Sequence, residues 1–268
     1  MNRRLAAIFF SAAFLVATAL VATGMAQVPF NPSAAPPRPA GRGRGPALSP
    51  RQASPIDMTG YWVSVVTEDW RFRMVTPPKG NYGGVPLNAA GRKLAETWDP
   101  AKDEAAGNQC RSYGAAGLMR VPGRLHIGWD NDSTMRVDTD AGTQTRLFHF
   151  GGKEGHASEA VAPSLQGYSV AVWEPAATGR GKPKAGDLKV TTTRLLPGYL
   201  RKNGVPYSAD TVLTEYYDRI SAPNGDEWLV VSTEVNDPEN LSMPFITSTH
   251  FKKEADGKKW MPGPCSAR

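Results

Sequence analysis

After Thr59 the chain alternates apolar and polar residues with a period of two, the pattern of strands that bury one face. Segment 61–67 is β-branched and aromatic, and 70–75 alternates large apolar with charged residues, so both are read as strands. Pro77, Pro78, Gly80, Gly83 and Gly84 then interrupt the chain. Residues 88–98 read as a short helix, and a second is expected at Asp99-Pro100, with the carboxylate as N-cap and proline in the first turn. Past Gly117 strands resume at 123–129, 134–139, 143–150, 168–174, 188–195, 211–220, 228–235 and 245–252. Turn residues join them at Asp130-Asn131-Asp132, Asp140-Ala141-Gly142, Pro223-Asn224-Gly225 and Asn236-Asp237-Pro238. Many short strands must hide their edges, so the pattern predicts a mainly antiparallel barrel of about 8–10 strands. One helical excursion is expected between the second and third strands.

The N-terminus follows a different pattern. Arg3 and Arg4 precede an apolar run over 5–21, and Gly24-Met25-Ala26 places small residues at the −3 and −1 positions of a cleavage site. Residues 1–26 are read as a secretory signal peptide, cut before Gln27. The junction has no cysteine to carry a lipid, and no second hydrophobic segment follows. The mature chain is therefore expected to lack a transmembrane segment and to be periplasmic or secreted. Residues 27–55 are rich in proline and glycine and read as a disordered linker; 56–268 read as a single β-barrel domain.

Charge changes little. Of the formal +6, Arg3 and Arg4 leave with the signal, and Arg38, Arg42, Arg44 and Arg51 account for the remaining +4. The region from Ile56 onward sums to about zero, which argues against nucleic acid as a partner. Cys110 and Cys265 are an even pair in an oxidising compartment, and a bridge would pin the C-terminal tail; two unrelated thiols are the alternative. Two cysteines with scattered histidines do not make a zinc site.

Gly60-Tyr61-Trp62 at the first strand resembles the G-x-W that opens lipocalin barrels. A wider resemblance covers roughly 85–251. It comprises Pro86-Leu87-Asn88, Cys110 with the loop ending at Pro122, Gly167-Tyr168-Ser169-Val170 leading to Trp173-Glu174, and Asp187-Leu188-Lys189-Val190. It continues through Gly204-Val205-Pro206-Tyr207-Ser208, Thr214-Glu215-Tyr216-Tyr217-Asp218-Arg219, and Asp237-Pro238 with Pro244-Phe245. In this order the motifs resemble a group of uncharacterised secreted bacterial proteins with a lipocalin-like (calycin-like) barrel. The resemblance implies fold and export, not an activity. The Gly/Lys/Pro-rich insertion before Asp187 and Cys265 depart from the group's pattern.

Leu213, Glu215, Tyr217 and Arg219 share a strand face. Glu215 and Arg219 then form either a ligand clamp with Tyr217 between them or a structural ion pair. His149 shares a face with Thr145 and Leu147, and His250 with Ile246 and Ser248; each is a candidate acid or base, or a satisfied histidine. His126 faces away from an apolar stripe, and His156 sits in a glycine-rich loop. In Glu68-Asp69-Trp70-Arg71-Phe72-Arg73, Trp70 and Arg73 are ligand-binding candidates near the barrel entrance, with core against surface as the plain alternative. Asp130-Asn131-Asp132 and Asp138-Thr139-Asp140 lack the rest of a calcium loop and read as turns.

There is no nucleophile elbow around Ser169, no His-Glu-x-x-His, no phosphate-binding glycine loop and no sign of a cofactor. Three readings remain. The first is an exported barrel that binds a small apolar or aromatic molecule. The second is a barrel lyase, hydratase or isomerase using His149, His250 or Glu215. The third is a structural envelope protein with a filled interior.

Overall fold

A computed structural model describes residues 47–152, 161–176 and 185–268. Residues 1–26, most of the linker and His156 lie outside the described residues. Eleven strands form among the described residues: β1 (Gly60–Val65), β2 (Arg124–Asn131), β3 (Thr134–Thr139), β4 (Gln144–Phe150), β5 (Tyr168–Pro175), β6 (Gly186–Thr193), β7 (Gly198–Arg201), β8 (Val205–Tyr207), β9 (Val212–Ser221), β10 (Glu227–Asn236) and β11 (Phe245–Glu254). Nine close into a barrel in the order β1-β11-β10-β9-β6-β5-β4-β3-β2, and β7-β8 stand apart as a hairpin.

The barrel is mixed. A closed ring can alternate strand direction throughout only if the number of strands is even, so nine strands require a parallel junction. It falls between β4 and β5, where Phe148 pairs with Ser169 and Phe150 with Ala171. The other junctions run antiparallel.

Alternation sends every second side chain inward. Trp62, Phe148, Tyr217, Leu229 and Phe251 meet in the interior, all 1% exposed or less. Each contributes roughly 1.5–3 kcal/mol of burial energy. The Trp62 indole N–H donates to the Met58 carbonyl at 2.9 Å, so the ring is buried without an orphaned donor.

Both barrel ends are covered. At the end where β1 begins, Trp129, Phe150 and Trp173 pack together, and Trp173 Nε1 donates to the Pro50 carbonyl at 2.9 Å. Pro50 opens α1 (Pro50–Ala53), a single turn closed by a reciprocal Ser49–Gln52 capping box. This helical turn falls within the 27–55 stretch read as linker.

The other end carries α2 (Trp70–Arg73), α3 (Ala89–Ala95), α4 (Pro100–Ala105), a 3-10 turn at Arg111–Tyr113, α5 (Ala115–Leu118) and the β7-β8 hairpin. A second apolar cluster, including Leu200, Val205, Tyr207, Leu213, Val235 and Phe245, joins them to the strands. The expected strand at 70–75 is instead a helical turn, because Asp69 adopts a left-handed backbone (φ 49°) that ends the extended run. The helical excursion therefore follows the first strand rather than the second. Cys110 and Cys265 are bonded, tying the tail to the segment before the 3-10 turn. No helix among the described residues is long and apolar enough to cross a membrane.

Candidate functional site

Three arginines from distant segments converge at the barrel rim. Arg73 ends α2, Arg120 follows α5 and Arg201 ends β7. The reversal at Asp69 turns Arg73 back toward the rim. Gly117 lets α5 approach β7, since a Cβ there would lie 2.7 Å from the Tyr199 carbonyl oxygen. Together these side chains line a cleft of about 40 Å³, with Phe72, Ser112 and Leu200 among its walls.

The arginines are 8, 6 and 5% exposed, and each is only partly satisfied. Arg73 Nε donates to the Arg120 carbonyl at 2.9 Å, and its Nη1 pairs with Glu68. Arg120 Nη2 donates to Asp69 at 3.0 Å. Arg201 Nη1 donates to the Gly83 carbonyl at 2.7 Å, while its guanidinium lies 4.3 Å from the centre of the Phe72 ring. Arg73 Nη2, Arg120 Nε and Nη1, and Arg201 Nε and Nη2 have no partner among the described residues. A buried N–H without an acceptor costs about 1–3 kcal/mol, and an acceptor placed in the cleft could relieve several of these five nitrogens at once.

Electrostatics agree. Burial, and then the charge of Arg120, depress the Arg201 pKa to about 10. Burial also lowers that of Arg73, partly offset by Glu68. Burial alone would raise Glu68, but the Thr67 hydroxyl and Arg73 outweigh it and hold the carboxyl below its usual range. The second oxygen of Glu68 meets His250 Nδ1 at 3.0 Å, which places that histidine one carboxylate away from the cleft.

A different polar group occupies the barrel interior. Arg146 on β4 grips Glu215 on β9 in a bidentate pair at 2.9 and 2.6 Å, with Thr192 at 3.2 Å from Nη2. Both side chains are wholly buried. Burial would lower the Arg146 pKa, but Glu215 and the Tyr217 hydroxyl outweigh it and raise it, whereas burial and Glu215 push Tyr217 up. The expected Glu215–Arg219 pair does not form. Arg219 lies nearer the barrel end and donates to Glu227 at 2.7 Å. Glu215 instead meets a cation reaching across the interior from a strand that is not its neighbour.

The other candidates scatter. His149, on the outer face of β4, stacks on Tyr168 at 4.8 Å, and burial lowers its pKa. His250 lies on β11, separated from β4 by three intervening strands on the shorter path around the barrel, so the two histidines do not meet. His126 stacks on Tyr61 at 4.4 Å. Trp70 is 63% exposed beside the cleft, and Arg73 is in it. Sequence reasoning missed Arg120, Arg146 and Arg201. Arg120 lies in an irregular turn after α5 and Arg201 at the end of a short hairpin strand, so no periodicity tied either to Arg73. Among the described residues no group of three His, Cys, Asp or Glu side chains is arranged to hold a metal ion.

Comparison with known proteins assigns no family: no protein-family model, no curated protein and no solved structure matches this chain.

Proposed function

We propose that this protein is an exported binding protein that holds a small ligand by an oxyanion group in the Arg73–Arg120–Arg201 cleft. The observation that carries the reading is the set of five buried guanidinium nitrogens left without acceptors around one cleft. An oxyanion would accept from several of them and relieve repulsion among three desolvated cations. The barrel serves as scaffold, because its axis is filled by Trp62, Phe148, Tyr217 and the Arg146–Glu215 pair. A ligand is therefore assigned to the rim rather than to the interior. Glu215 is engaged at both oxygens by Arg146, which argues against its use as a free base. Export rests on the signal-like N-terminus and agrees with the Cys110–Cys265 bond. The Gly60-Tyr61-Trp62 opening of a closed barrel supports a calycin-like relationship.

Calorimetric titration of the chain from Gln27 with phosphate, sulfate and acetate tests the reading. At least one anion should bind the wild type, and R120M and R201M should each weaken it tenfold or more, the loss expected for a charge-assisted contact. Anion binding unchanged in both variants would place the site elsewhere.

A further inference from the structure

We infer that the ligand is a carboxylate carried on an aromatic or otherwise apolar body, with the carboxylate in the arginine cleft and the body in the groove beside Trp70. This rests on the oxyanion reading above and adds the chemical class. Charge is the first argument. Of the four cations lining the cleft, Lys202 is turned to the Arg268 carbonyl oxygen at 3.2 Å, and Arg73, Arg120 and Arg201 face two carboxylates, Glu68 and Asp69, which leaves an excess of one positive charge for a monoanion to balance.

The second argument is what adjoins the cleft. A groove of about 420 Å³ is lined by Trp70, Phe72, Val75, Thr76, Pro77 and Pro78 among others, and Phe72 and Thr76 also line the cleft. Trp70 and Val75 are 63 and 64% exposed, large apolar side chains left in water next to desolvated cations. The Phe72 ring lies against the Arg201 guanidinium, so the apolar wall and the charge meet at one side chain. A ligand whose anionic and apolar parts are directly joined would satisfy both surfaces at once.

Calorimetric titration of the full mature chain with acetate, benzoate, benzyl alcohol and inorganic phosphate separates the parts of this inference. Benzoate is expected to bind about tenfold tighter than acetate, with benzyl alcohol weaker than either. W70A changes an exposed side chain, so its melting temperature should match the wild type. It should bring benzoate within about twofold of acetate and leave acetate unchanged, whereas R201M should weaken both. Equal wild-type affinity for acetate and benzoate, or no effect of W70A, would overturn the groove and leave the anion cleft standing. Phosphate binding without carboxylate binding would overturn the carboxylate. Failure of every anion would bring down the cleft as well. Co-sedimentation with phosphatidylglycerol vesicles, with no response to benzoate, would replace the soluble ligand by a membrane surface.

Discussion

Three desolvated cations in one cleft should weaken the fold that carries them, and Arg201 allows that cost to be worked out. Its guanidinium stays charged at pH 7 in both folded and unfolded chains, because even the depressed pKa of about 10 lies above neutrality. The fall from 12.5 to about 10 corresponds to about 3 kcal/mol against the charged folded form, at about 1.36 kcal/mol for each tenfold change in acidity. Solvent screening at the open side of the cleft reduces this to roughly 2 kcal/mol. R201M removes that penalty and keeps an apolar stem against Phe72, but it deprives the Gly83 carbonyl of its donor, a loss of about 1 kcal/mol. The balance is a variant more stable by about 1 kcal/mol, seen as a rise of about 2–4 °C in melting temperature for a domain of this size. Thermal unfolding at pH 7 in an anion-poor, zwitterionic buffer measures it. The order should reverse when a bound anion is added, since a ligand at a hundred times its Kd stabilises the wild type by about 2.7 kcal/mol and the variant little. An R201M protein that melts below wild type without anion would refute the reasoning, for Arg201 would then be a net structural asset.

Other perturbations test the surrounding structure. R146M strands the Glu215 carboxylate inside the barrel and should cost about 3–5 kcal/mol in urea unfolding, whereas R146M/E215L should recover most of that loss; equal losses would mean the pair itself carries the stability. Replacing Cys110 and Cys265 by serine opens a loop with sequence separation 155 and should cost up to about 5 kcal/mol in the chain-entropy account, read as a lowered urea midpoint. Burial, and then Asp187, raise the Asp218 carboxyl to about 6. Because the folded state holds this proton more tightly, stability is gained as pH falls from about 6 toward 4 and is lacking above 6. After allowance for solvent exposure, D218N should stabilise by about 1 kcal/mol at pH 8 and by almost nothing near pH 4. A pH-independent effect would assign it to something other than the carboxylate pair.

Much of the barrel was legible in the sequence because side-chain alternation is a local property. The strands at 134–139 and 168–174, for example, are recovered as β3 and β5 within a residue or so. Asp99-Pro100 likewise announced α4, since capping requires only neighbours along the chain. The same local logic failed at 70–75, where alternation resembled a strand but the left-handed backbone at Asp69 had already turned the chain into α2.

Closure was decided by tertiary structure. Nine strands in a ring impose one parallel junction, and no single strand carries the information that places it between β4 and β5. Partner choice was decided the same way: Glu215 and Arg219 share a face in the sequence, yet Glu215 is bound by Arg146 from across the interior. The candidate site goes furthest in this direction. The mixed run Glu68–Arg73 showed that charges and aromatics gather near the rim, but Arg120 and Arg201 join Arg73 only after α5 packs on β7. Strand, cap and turn preferences depend on covalent neighbours and can be read along the chain. Three cations share one desolvated cleft only when packing forces together segments that are far apart in sequence.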